Sequence, residues 1–180
     1  MLELDLPKLE LYDPVTNTFF NSDEVHLKLE HSLVAVSKWE SKWHKPFLTK
    51  DEKTPEQMQD YVRCMTLTKD VDPLVYKFLP AFAIVEINKY IEDPMTATWF
   101  SKTETKRPNR ETITAELIYY WMIQCEIPFE CQYWHLNRLL TLIHVCDVKN
   151  APAKKMSKSE LMRRNTALNA ARKSKYNTRG

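Results

Sequence analysis

The side chains able to do chemistry in this chain are four cysteines (Cys64, Cys125, Cys131 and Cys146), five histidines and a scatter of acidic residues. Cys131 and His135 are four apart, so on a helix they share a face, and His144 and Cys146 follow. That grouping raises zinc, whose structural sites take four Cys or His ligands. There is no Cys-x-x-Cys knuckle and no paired His-x-x-x-His, so the ligands would have to come from distant places. The competing expectation is that Cys131 and Cys146 are core thiols, the histidines lie at helix edges, and no metal or cofactor is held. A cysteine nucleophile needs positive charge or a helix N-terminus to lower its pKa. Glu126 and Glu130, flanking Cys131, act in the opposite sense. Glu104, Glu111 and Glu116, and the pairs Asp23-Glu24, Asp51-Glu52 and Glu92-Asp93, stand where helix caps and turns are expected. They suit structure better than general acid–base work.

Glycine narrows the chemistry further. The 180-residue chain has one, Gly180 at its last position. Dinucleotide-binding turns, P-loops and kinase-type flaps bring backbone N–H groups against phosphate and need residues without a Cβ. A nucleophile elbow needs glycines around its serine. A nucleotide-using enzyme or an α/β-hydrolase is therefore not expected. Tight hairpins favour glycine at positive φ, and here only Asn and Asp are expected to take such positions. Helices tolerate Asn at their C-terminal caps, so the expected fold leans helical.

The first thirty residues alternate with period two. Lys8 to Tyr12 and Thr18 to Phe20 read as extended segments around turn chemistry at Asp13-Pro14-Val15-Thr16-Asn17, and Val25 to Glu30 presents one apolar face. A small antiparallel sheet or meander is expected. From Ser32 the period changes: Leu33, Val36, Trp39 and Trp43 make a helical stripe that ends before Pro46. Thr54-Pro55-Glu56-Gln57 is a helix start, with Met58, Tyr61, Val62 and Met65 on one stripe behind it. Asp72-Pro73 opens a short helix through Leu79, and a further helix runs from Phe82 to a stop at Asp93-Pro94. Met95 to Phe100 suits a strand returning to the N-terminal sheet, and 101–111 an exposed loop.

The second half carries the clearest helical signal. Ile113, Leu117, Ile118, Trp121, Met122 and Cys125 form one apolar face; Tyr133, Leu136, Leu139, Leu140, Ile143 and Cys146 form another. Joined at Glu126-Ile127-Pro128, they predict a helical hairpin. Tyr119, Tyr120 and Trp121 are consecutive and span about 200° of a helix, so one of them is expected at the surface, where it suits partner binding. Ser157-x-x-Glu160 is a capping box opening a basic helix towards Lys175. From Lys149 onward ten Lys or Arg face one acid, a net +9, whereas the preceding 148 residues carry −7. The tail's thin apolar side, Leu161, Met162 and Leu168, leaves it little to gain by packing on its own body. A simply solvated helix, docking on an acidic protein and contact with nucleic acid all suit that charge, the solvated helix being the default for any single residue in it.

Several blocks in order carry a resemblance: Leu29-Glu-His-Ser-Leu33, Ser37-Lys-Trp-Glu40, Met95-Thr-Ala-Thr-Trp-Phe100, Ile113-Thr-Ala-Glu-Leu-Ile-Tyr-Tyr-Trp121, Ile127-Pro-Phe-Glu-Cys131, Trp134-His-Leu-Asn-Arg-Leu-Leu140 and Arg164-Asn-Thr-Ala-Leu-Asn-Ala-Ala-Arg172. Together they resemble tail assembly chaperones of long-tailed, siphovirus-type bacteriophages. The resemblance implies a non-enzymatic protein of the host cytoplasm, absent from the mature virion, that binds tape-measure and tail-tube proteins. It brings no catalytic residues.

The expectation is thus an α+β fold in two parts. Residues 1–148 form a compact domain, β-rich over 1–31 and mainly helical over 32–148, and 149–180 form a basic helical extension. The expected partner-binding residues are Tyr119, Tyr120, Arg163, Arg164, Arg172 and Lys173. Self-association is a further expectation, nucleic-acid binding through the basic helix is the alternative function, and no membrane contact is expected. The N-terminal Met-Leu-Glu-Leu-Asp lacks the layout of a secretory signal, and no apolar run is long enough to span a bilayer.

Overall fold

The computed structural model describes residues 1–13, 17–100, 112–151 and 157–177. The fold is α+β, with antiparallel strands at the N-terminus followed by helices. Strand β1 (Leu2–Leu6) pairs with β4 (Val25–Leu29), and β2 (Leu9–Asp13) pairs with β3 (Thr18–Ser22). The residue offset is unchanged from one ladder to the next, with Leu6 opposite Val25 and Leu9 opposite Ser22. The four strands are one long hairpin with a break, not a meander. Pro7 lies at the break and has no N–H to give the ladder. Leu4, Leu6, Leu27 and Leu29 point inward and are buried, while Glu3 and Lys28 pair on the outer face at 3.2 Å.

Local chemistry sets the helix boundaries. In α1 (Leu33–Trp43) the Ser32 hydroxyl accepts from the Ala35 N–H, and His44 ends the helix in the left-handed region at φ 51°. The capping box at Thr54 and Gln57 opens α2 (Pro55–Met65). Asp72 caps α3 (Pro73–Lys77), which stops two residues short of the expected end. Pro80 starts α4 (Ala81–Glu92). The remaining helices are α5 (Ala115–Gln124), a 3-10 turn at Phe129–Tyr133, α6 (Leu136–Asn150) and α7 (Lys158–Tyr176).

The core gathers around α1. Trp39 and Tyr61 are almost fully buried, with Phe47 stacked on Tyr61 at 3.9 Å between ring centroids. The Trp39 Nε1–H donates to the Gln57 carbonyl at 2.8 Å, tying α1 to α2. Two buried acids do the rest. Asp60 accepts from Lys42, Trp43 and Arg63. Glu40 accepts from the N–H groups of Phe47 and Ala115, both at 2.7 Å, and so fixes the first residue of α5 against α1. A buried carboxylate is tolerable only when its oxygens are paired in this way.

Two expectations are corrected. Met95–Phe100 forms no strand: Met95 is left-handed at φ 50°, and its N–H bonds the Asp93 side chain. The Thr98 N–H bonds Thr96 Oγ1, so local turns replace a ladder. α5 and α6 do not meet across three residues. The chain between them takes the 3-10 turn and an extended stretch through His135, which bridges to Ser32. Within the hairpin the described residue at positive φ is Asn17, and outside it His44, Asp70, Met95, Glu126 and Asn177 adopt positive φ. The expected loop at 101–111, and the tip of the hairpin at 14–16, lie outside the described residues.

Contacts divide the chain into Met1–Val148 and Lys149–Gly180. In the second unit, no residue of α7 is buried. Among the described residues no helix is long and apolar enough to cross a membrane.

Candidate functional site

The expected tyrosines sit on the outer side of α5. Glu40 and the Thr114 cap fix where that helix starts, and Ala115, Ile118 and Met122 turn inward. This leaves Tyr119 half-buried and Tyr120 and Ile123 exposed at 54% and 57%. Pro128 then starts the 3-10 turn, which carries Phe129 and Tyr133 back to the same region, 53% and 62% exposed. The Tyr119 hydroxyl donates to Gln132 Oε1 at 2.9 Å, and its ring lies 6.4 Å from that of Phe129. Burial, then Tyr133 and Glu116, push the Tyr119 phenol above its ordinary pKa, so it remains a neutral donor. The result is an aromatic patch on the body's surface.

Tyr133 was expected in the core stripe of α6. That assignment carried one helical phase across residues 133–136. A 3-10 turn advances about three residues per turn, and the extended backbone at Trp134 and His135 breaks the phase altogether. Tyr133 therefore swings outward. Phe129 carried no periodic signal in the sequence; its position after Pro128 was the available cue.

The patch is flanked by acids. Glu116, Glu126 and Glu130 are exposed, and from Arg110 to Arg138 the sequence contains no other Lys or Arg. Arg138 stacks over the Trp134 ring, 4.1 Å from its centroid.

Arg163, Arg164, Arg172 and Lys173 all lie on α7 and are exposed. They do not share a face. At about 100° per residue, Leu161, Arg164, Leu168, Arg172 and Lys175 fall within roughly 80° of arc, whereas Arg163 and Lys173 point elsewhere.

A second exposed apolar area belongs to α4, where Phe82, Ile84 and Val85 face solvent. It borders a groove of about 230 Å³ lined mainly by Met58, Val62, Tyr76, Leu79 and Ile87.

Several of the residues suited to chemistry have structural partners. Cys131 is buried. His135, expected at a helix edge, is also buried, and Nε2–H donates to the Tyr90 carbonyl while Nδ1 accepts from the Asn137 N–H. With both nitrogens occupied, it has no lone pair for a thiol proton. His31 packs edge-on against His135 at 5.0 Å and bonds the Tyr61 hydroxyl. Burial, then His135, lowers its pKa to about 3, so it is neutral. The Tyr90 hydroxyl donates to Glu30 at 2.6 Å, and Glu30 also pairs with the N-terminal amine at 2.9 Å. Burial pushes the Cys64 and Cys125 thiols up, with Asp60 and Cys146 respectively adding to the effect. Raised thiols are poor nucleophiles at neutral pH. Among the described residues no three His, Cys, Asp or Glu side chains converge on a point that could hold a metal ion.

The fold and the surface define an α+β protein whose outstanding features are an exposed aromatic patch and an exposed basic helix. No protein-family model, curated protein or solved structure matches the chain.

Proposed function

We propose that this chain is a non-enzymatic tail assembly chaperone of a long-tailed bacteriophage. It binds tape-measure and tail-tube proteins in the host cytoplasm and is released before the virion matures. The observation that carries a binding role is the pair of uncommitted surfaces. Tyr120, Ile123, Phe129 and Tyr133 expose aromatic and apolar area that folding leaves uncovered. α7 holds 19 residues with none buried, a length of helix that the body does not use as core. Exposed aromatic and apolar side chains grouped on neighbouring segments favour an interaction site. The sequence resemblance supplies the tail-assembly context.

The test is co-expression with the tape-measure and tail-tube proteins of the same phage, followed by affinity purification. Recovery of either protein, reduced by Tyr120→Ser together with Arg172→Glu, is the expected result. If neither protein co-purifies with the wild-type chain, the tail-assembly reading fails.

A second reading, nucleic-acid contact through α7, is supported by bases at Lys158, Arg163, Arg164, Arg172, Lys173 and Lys175, which point to several sides of the helix. A salt titration of DNA binding separates the two. Phosphate contacts give an affinity whose logarithm falls steeply and linearly with log salt, and which is lost on removing residues 150–180.

A further inference from the structure

We propose that α7 of one copy docks on the aromatic patch of a second copy. The two surfaces match in charge and in chemistry. The patch, formed by Tyr119, Tyr120, Ile123, Phe129 and Tyr133, has exposed Glu116 and Glu130 in its two segments and exposed Glu126 in the connection between them, and lies in a stretch without Lys or Arg. The α7 face carries Leu161 and Leu168 interleaved with Arg164, Arg172 and Lys175. Leucines laid on aromatic rings bury apolar area, and flanking cations meet either a carboxylate or a ring face. The whole chain repeats this complementarity, with a net of −7 over residues 1–148 and +9 over the remainder. Because patch and helix are different surfaces, each copy offers one donor and one acceptor. The contact is heterologous, and it closes when two copies exchange helices. None of this requires the tail-assembly reading.

The disposition of the basic residues makes the proposal specific. Arg164 and Arg172 share the leucine face, while Arg163 and Lys173 carry the same charge on other sides. Diffuse attraction between an acidic body and a basic tail treats the two pairs alike; docking through one face does not.

The test is sedimentation velocity of the full chain over a wide concentration range, at low salt and at about 0.5 M salt, where screening is nearly complete beyond a few ångströms. Wild type associates at low salt and dissociates at high salt. Arg164→Glu with Arg172→Glu weakens association by at least about tenfold, and Arg163→Glu with Lys173→Glu by less than about threefold, as expected for contacting versus remote charges. Glu116→Lys with Glu130→Lys also fails to associate alone. Mixed with the Arg164→Glu, Arg172→Glu chain, it restores a complex, because each partner then supplies one reversed surface. Circular dichroism checks that every variant keeps the wild-type helix content.

A wild-type chain that stays monomeric at high micromolar concentration and low salt overturns the proposal. Equal losses from the two arginine and lysine pairs overturn it as well. Loss in the Arg164, Arg172 variant without rescue by the glutamate variant overturns the assignment of the patch as the acceptor.

Discussion

His31 shows what a single buried side chain does to the stability of this fold. Its ring lies between Tyr61 and His135, and burial, reinforced by His135, lowers its pKa from 6.5 to about 3. Between those values the unfolded chain takes up a proton that the folded chain refuses. The stability contributed by neutral His31 is therefore fully present above pH 6.5 and drains as pH falls towards 3. The slope for one such group approaches about 1.4 kcal/mol per pH unit. Urea unfolding at several pH values between about 6.5 and 4.5 is expected to show that slope. His31→Gln, which keeps a polar group beside Tyr61, is expected to flatten it, and an unchanged slope rejects the assignment. The burial of His31 and His135 was not legible in the sequence. Each is buried by partners from distant segments: Tyr61 is 30 residues from His31, and Tyr90 is 45 residues from His135. No local period reports such pairings. Cys131, by contrast, was expected in the core and is there.

At the scale of elements, punctuation was legible, and so was phase within a helix, as the burial of Leu33, Val36 and Trp39 in α1 shows. Phase was lost across the 3-10 turn at Tyr133. Ser32, Thr54, Asp72 and Ser157 each cap the helix they were expected to start, because capping is a contest among neighbouring N–H groups and side-chain oxygens. The end of α1 shows the cost of having no internal glycine. His44 sits at φ 51°, and a residue with a Cβ pays about 1–2 kcal/mol in the left-handed region. Glycine there relieves the strain but carries an unfolded-state entropy penalty of about 0.4–1 kcal/mol. His44→Gly is expected to be a net stabilisation of up to about 1 kcal/mol, which corresponds to a melting midpoint roughly 2–4 °C higher. His44 is exposed, so no packing is lost. A lower midpoint would show that its side chain does something the left-handed cap does not explain. Met95–Phe100 failed as a strand for a related reason. Its apolar, Thr-rich composition was compatible with a ladder, but Asp93 and Thr96 hold the backbone in local turns instead.

For the molecule as a whole, the imbalance between its two units decides how its stability is distributed. The body encloses a core around Trp39 and Tyr61, whereas α7 has no buried residue, only a capping box at its start and a left-handed Asn177 at its end. α7, 19 residues with none buried, lacks the tertiary packing that normally provides most of a helix's stability. Composition could announce a basic tail, but it could not say whether any face of that tail is covered. Hydrogen exchange resolves the point. In dilute solution the amides of α7 are expected to exchange within about tenfold of the rate for an unstructured chain, while those of α1 and α2 are protected to near the global stability. Removing residues 149–180 is expected to leave the body's melting midpoint unchanged in dilute solution. If a second copy covers the Leu161, Arg164, Leu168 and Arg172 face, protection of α7 rises with protein concentration and is lost again at high salt. Strong protection of α7 at every concentration would instead mean that its own body holds it, and the exchange of helices between copies would have no free helix to begin from.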